Sequence, residues 1–286
     1  MSETTEITWQ REAATLDTTI APSSSWLDLN LRELWDYREL LYFFVWRDLK
    51  IRYKQTAIGA AWAILQPFLT MVVFSLFFGA LAHIPSNGLP YPIFYYSALL
   101  PWVYFAGALQ NATNTMVDHQ RVITKVYFPR LLLPMAAVVS GLVDLAIGFS
   151  VFLGMLLYYG IAPGRAILLL PFFLLLAVLT ALGVGLWLSA LNAIYRDVRY
   201  VLPFLIQFWM FASPVAYPSS LVPERWRWLY SLNPMTGVIE GFRWAVTGRG
   251  APPNLLLAVS SAAVLLVVAG GLSYFDKMEG TIADVV

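Results

Sequence analysis

The stretch RDLKIRYKQTAIGAAWAILQP, residues 47–67, decides how the rest of the chain is read. Its first eight positions hold four bases, Arg47, Lys50, Arg52 and Lys54. From Ala57 to Ala82 no charged residue occurs in 26 positions. About 20 apolar residues rising ~1.5 Å each cross a hydrocarbon core, so the second half predicts a membrane span. Basic flanks are held on the cytoplasmic side of a bilayer, so the first half predicts an N-terminus inside the cell. The junction joins a surface helix to a membrane helix.

Composition agrees with this reading. The chain has 286 residues, 59% hydrophobic and only 12% charged, against roughly 25% charged in soluble domains. That length holds about six spans with short loops and no added soluble domain of ordinary size. With no cysteine, structural disulfides and thiolate metal sites are excluded. Residues 1–25 are polar and rich in Ser and Thr, with no apolar run leading to a cleavage site. They predict a flexible cytoplasmic tail rather than a signal peptide, with a partner-binding arm as the alternative.

Taken in order, residues 26–56 predict an amphipathic interface helix. Leu31, Leu34, Trp35, Tyr42, Val45 and Leu49 follow helical spacing, with the charges mostly elsewhere on the wheel. Periodicity alone leaves open a lipid-surface anchor or a platform for a cytoplasmic partner. Residues 57–286 predict an all-α integral membrane domain of six transmembrane helices. The spans fall at about 57–82, 91–117, 131–160, 166–194, 200–217 and 254–275, and Asp144 alone interrupts them. With both termini inside, 13 of the 18 Lys and Arg residues lie on the cytoplasmic side, as the positive-inside bias requires.

The last outer loop has helical punctuation of its own, over about 221–248. Pro223 can open one short helix, and Asn233-Pro234 caps a second that ends at Gly248. Trp226 and Trp228 favour a membrane interface, and Glu240 and Arg243, three apart, can share a face. Two short re-entrant helices in the outer leaflet are expected there.

Several chemistries are missing. No glycine-rich stretch is followed by the Lys-Ser/Thr of a phosphate loop. His83 and His119 fall on opposite sides of the membrane in this topology, so they cannot share a metal. No catalytic grouping and no metal site are proposed. Asp144 is the one acid within a span, which makes it a functional candidate by default; pairing with a polar neighbour is the simpler reading. Gln66, Gln110, Asn111, Asn114, Asn192 and Gln207 are the other polar groups at depth, and bonds between helices account for most such residues.

Seven segments together carry a resemblance: residues 47–67, LLPWVYF (99–105), KVYFPRLLLP (125–134), NAIYRDVRYV (192–201), SPVAYP (213–218), LNPMTGVIEGFRW (232–244) and YFDKMEGTIADVV (274–286). In this order they resemble the membrane permease subunit of type-two ATP-binding cassette exporters of bacterial polysaccharide, including O-antigen, capsule and teichoic acid. The resemblance covers residues 27–286. It implies a homodimer in the cytoplasmic membrane, served by two copies of a separate ATPase that binds ATP and Mg. The permease itself then needs no cofactor, touches membrane lipids and has no nucleic-acid partner.

The resemblance also implies contact with that ATPase through residues 31–54 and 118–130. The coupling candidates are Arg47, Lys50, Arg52 and Lys54 with His119, Arg121, Lys125, Tyr127, Phe128 and Arg130. The Phe128-Pro129 pair suits a cleft in the partner. The first and fifth spans are implied to line a channel at the dimer centre. Phe68, Phe74, Phe204, Phe208 and Phe211 are candidates for an aromatic wall, since sugar C–H faces lie well on rings.

The leading expectation is therefore a permease that moves a lipid-linked glycan outward. An exporter of drugs or small glycolipids is the nearest alternative. A membrane transferase would need gathered acids, and the outer side offers only Glu224 and Glu240. A bare channel is the fourth possibility.

Overall fold

The computed structural model describes residues 31–54, 61–250, 252 and 254–285, whose regular elements are helices joined by turns and loops, with no strand among them. The expected tail (1–25), the start of the interface helix (26–30) and the junction (55–60) lie outside the described residues. The chain-order elements are α1 (Leu31–Asp36), α2 (Arg38–Lys54), α3 (Ala61–Phe74), α4 (Tyr91–Asp118), α5 (Gln120–Ile123), α6 (Leu132–Tyr158), α7 (Leu170–Ile194), α8 (Val198–Phe211), α9 (Glu224–Ser231), α10 (Pro234–Thr247) and α11 (Leu255–Val285).

Five stretches are long and apolar enough to cross a membrane: Ala61–Leu81, Tyr91–Asp118, Leu132–Tyr158, Arg165–Ile194 and Leu255–Glu279. The first consists of α3 followed by seven residues of π-helix, Ser75–Leu81. A 3-10 turn, Arg165–Leu169, leads into α7. The most apolar part of α4 is 78% buried, against 22% for α3–π and 17% for α11, so α4 is the central post. Tyr96 and Tyr104 of α4 donate to the Gly148 and Val138 carbonyls of α6 at 3.3 and 3.2 Å. Their hydroxyls are thus satisfied where no water competes. α7 and α11 meet at small residues: a Cβ on Gly183 would lie 2.9 Å from the Val268 backbone. Such closeness is how membrane helices gain packing contact.

α8 differs from expectation. The apolar run 200–217 reads as a full span, but its helix stops at Phe211. Fourteen residues span only about 21 Å, short of a hydrocarbon core of about 30 Å. Pro214 explains the stop, because it removes a donor and pushes Ser213 out of helical geometry. The turn that follows is buried at Ser213, Val215 and Ala216, and side chains satisfy its backbone. The Asn233 amide donates to the Ala212 carbonyl and Ser213 Oγ at 3.1 and 3.0 Å, and Arg243 donates to the Pro214 carbonyl at 2.9 Å. Irregular backbone at membrane depth is tolerated on these terms.

The interface helix differs in part. It breaks at Tyr37 into α1 and α2; Leu34 and Val45 of the expected stripe pack inward, whereas Trp35 and Tyr42 do not. Phe44 is buried, with Leu34, Tyr37, Leu40, Leu41 and Val45 around it. Trp35, Tyr42, Phe43 and Trp46 are exposed. Aromatic and aliphatic residues occupy both sides of this helix, so periodicity could not choose between them; one side packs on the bundle and the other presents rings suited to headgroups.

Candidate functional site

A cleft of about 980 Å³ opens between α3, α4, α6 and α8, with the end of α2 at its wall. α3 contributes Trp62, Gln66, Thr70 and Phe74, α4 contributes Trp102, Gln110 and Asn111, and α8 contributes Gln207 and Met210. Asp144 of α6 stands on the wall with Arg52 and Tyr53 of α2. Both bond its carboxylate, Arg52 through Nη1 and Tyr53 through its hydroxyl. Asp144 lies about 18 Å along α6 from Leu132 at 1.5 Å per residue, near the middle of that helix.

The four bases of the opening stretch therefore do different things. Arg52 is drawn inward to half depth. Arg47 bonds Asp48 at 2.8 Å and lies over the Phe44 ring, while Lys50 and Lys54 are exposed. Counting charge located the basic segment but could not tell which base turns in. The cleft's carboxamides were also undervalued in sequence. Gln66, Gln110, Asn111 and Gln207 all reach it, while Asn192 bonds across helices, its Nδ2 donating to the Thr113 carbonyl at 3.0 Å and to Asn114 Oδ1 at 3.3 Å.

Of the five phenylalanines expected at a channel, Phe74 is buried and lines the cleft. Phe68, Phe204, Phe208 and Phe211 are exposed and do not line it. They sit beside the lining positions on α3 and α8, one step around each helix from Pro67, Pro203, Gln207 and Met210.

The turn after α4 packs on α2. The Phe128 ring meets Phe44 edge-on at 5.5 Å and is only 4% exposed, so it seals this chain's own core. Tyr127, 66% exposed, is the aromatic ring that the turn presents outward. Arg121 and Lys125 are exposed. His119 Nδ1 lies 2.9 Å from the Thr115 carbonyl. Arg130 is held by the backbone carbonyl and carboxylate of Glu279 in α11.

At the opposite end, Asn233 caps α10 by accepting from the Met235 amide at 3.0 Å, and Gly248 closes it at φ +66°. α9 is exposed at Trp226 and Trp228, whereas α10 is buried among α4, α7 and α11. Arg243 and Glu240 form no ion pair among the described residues. The Arg243 guanidinium lies 3.9 Å from the Phe94 ring centre and donates to Ser97 Oγ at 3.3 Å. Glu240 accepts from the Ser219 amide at 3.3 Å. Among the described residues no His, Cys, Asp and Glu cluster could hold a metal.

Comparison with known proteins is consistent with this geometry. The chain is 30% identical over 254 residues to an O-antigen export system permease protein, RfbA, of Myxococcus xanthus, covering 87% of this chain and 96% of that one. It is 25% identical to an RfbA of Klebsiella pneumoniae, covering 90% and 97%. It is 24% identical to a polysialic acid transport protein, KpsM, of Escherichia coli, covering 82% and 91%. Residues 39–247 match the model of the ABC-2 type transporter family, from α2 through α10. The chain belongs to the ABC-2 type transporter family.

Proposed function

We propose that this chain is the permease half of an ATP-driven exporter that moves a lipid-linked polysaccharide outward across the cytoplasmic membrane of a bacterium. It works as a homodimer with two copies of a cytoplasmic ATPase, and both of its termini lie inside the cell. The observation that carries this reading is the placement of α2. Its middle is locked to the turn after α4 through Phe44 and Phe128, and its C-terminal end is bonded to the cleft wall through Arg52, Tyr53 and Asp144. A push on the cytoplasmic surface made by α2 and the turn is thereby delivered to the cavity through which cargo passes. Arg47, Lys50, Lys54, His119, Arg121, Lys125, Tyr127 and Arg130 form or flank that surface. Phe128 holds it together, and Arg52 is the link to the wall.

In the dimer, a second copy completes the channel. Phe68, Phe204, Phe208 and Phe211 then face the joint cavity or the partner, and the carboxamides and Trp62 supply polar and stacking contacts to successive sugars. Weak contacts repeated along a wall let a polymer slide. α9 and α10 cover the outer end. The test is complementation: expressed with its ATPase in cells lacking their own O-antigen permease, the chain restores polymer at the surface. Export that persists without the ATPase would indicate a bare channel instead. Chemical turnover of lipid-linked sugars by the purified chain, lost on Glu224→Gln and Glu240→Gln, would indicate a transferase.

A further inference from the structure

The cleft wall combines abundant hydrogen-bonding capacity with no net charge. Its lining residues include one cation, Arg52, and one anion, Asp144, bonded to each other. The balance is not peculiar to one cavity boundary. Within the spanning helices, away from their ends, Asp144 is the sole Asp, Glu, Lys or Arg. Residues 55–60, QTAIGA, are uncharged, and Glu240 and Arg243 of α10 are again one of each sign. A second copy doubles these groups and leaves their sum at zero.

We propose that the cleft is built for an uncharged polysaccharide and discriminates against an anionic one, the Arg52–Asp144 pair keeping its wall neutral. This rests on the export reading and names the cargo's chemical class. Anion pathways through membranes carry rings of Arg or Lys to offset the loss of hydration, and an acidic polymer brings a fresh negative charge into the low-dielectric layer with every repeat. Among the described residues that line the cleft, no unbalanced cation stands to meet it. Carboxamides, in contrast, both donate and accept. Gln66, Gln110, Asn111 and Gln207 match sugar hydroxyls without regard to sign, beside the exposed ring of Trp62.

The test uses the full chain with its ATPase in two hosts, each lacking its own permease and ATPase. One host makes an O-polysaccharide of neutral hexoses, and the other makes polysialic acid. Surface polymer relative to internal polymer is expected to favour the neutral glycan by at least about tenfold. Equal export of the two, or a preference for polysialic acid, overturns the inference and leaves export standing. Export of neither, with permease and ATPase co-purifying, overturns both. Two variants present at wild-type level in the membrane isolate the cause. Thr70→Lys, which adds an unbalanced cation to the lining at a position outside the Arg52–Asp144 link, is expected to raise the polysialate share, and Thr70→Gln, which is neutral, is expected to keep the wild-type preference. Indistinguishable ratios for these two variants would show that wall charge does not discriminate and would overturn the proposal.

Discussion

Asp144 carries two partners from one short segment, and both belong to the helix that leads into the first span. A carboxylate and a guanidinium at this depth are tolerated because each neutralises the other beside a polar cavity. Removing the guanidinium leaves the carboxylate without its cation, so Arg52→Gln should destabilise the detergent-solubilised protein more than the double variant Arg52→Gln/Asp144→Asn does. A double-mutant cycle from denaturant unfolding is expected to give a coupling of about 1 kcal/mol. Phe44 stands about two turns earlier in α2, and Phe128→Ala should cost about 3 kcal/mol, since a buried ring is lost against it. Tyr127→Ala should leave the unfolding midpoint unchanged and weaken ATPase co-purification. The sequence marked Asp144 as a group in need of a partner, because an acid in an apolar run has few alternatives. It did not mark Arg52 as that partner, since four bases in eight positions look alike until the fold turns one of them inward. For the same reason Phe128 and Tyr127, adjacent and similar, were not distinguishable as anchor and exposed ring.

Elements whose ends are set by local chemistry were the most legible. Asn233-Pro234 and Gly248 delimit α10 as their capping preferences require, with the Asn233 side chain on the Met235 amide and Gly248 in the left-handed region. Asn233 also holds the turn after α8, so Asn233→Ala should cost about 2 kcal/mol, more than a cap alone, read as a lowered unfolding midpoint. α8 was less legible, because hydrophobicity continues past Phe211 and only Pro214 signals the stop. Placing α10 inside the bundle required knowing its neighbours. Gly241 sits against the Phe173 ring with no room for a Cβ, which no reading of α10 alone reveals. Gly241→Leu should keep α10 from seating and lower the yield of folded protein.

For the whole molecule, charge placement and span length sufficed to give a multi-pass helical protein, because the bilayer imposes both constraints directly. The cleft, which requires four helices and the end of α2 to converge, was not visible at that level. The central claim is that α2 and the turn after α4 form one cytoplasmic surface that receives the stroke of an ATPase. Since the chain has no cysteine, Lys50→Cys and Lys125→Cys introduce unique thiols at two exposed positions. In inverted and right-side-out vesicles bearing the assembled complex, a membrane-impermeant maleimide should label both positions only from the cytoplasmic face. Both should also cross-link to the ATPase. Labelling of the two from opposite faces, or cross-linking of neither, would contradict the account.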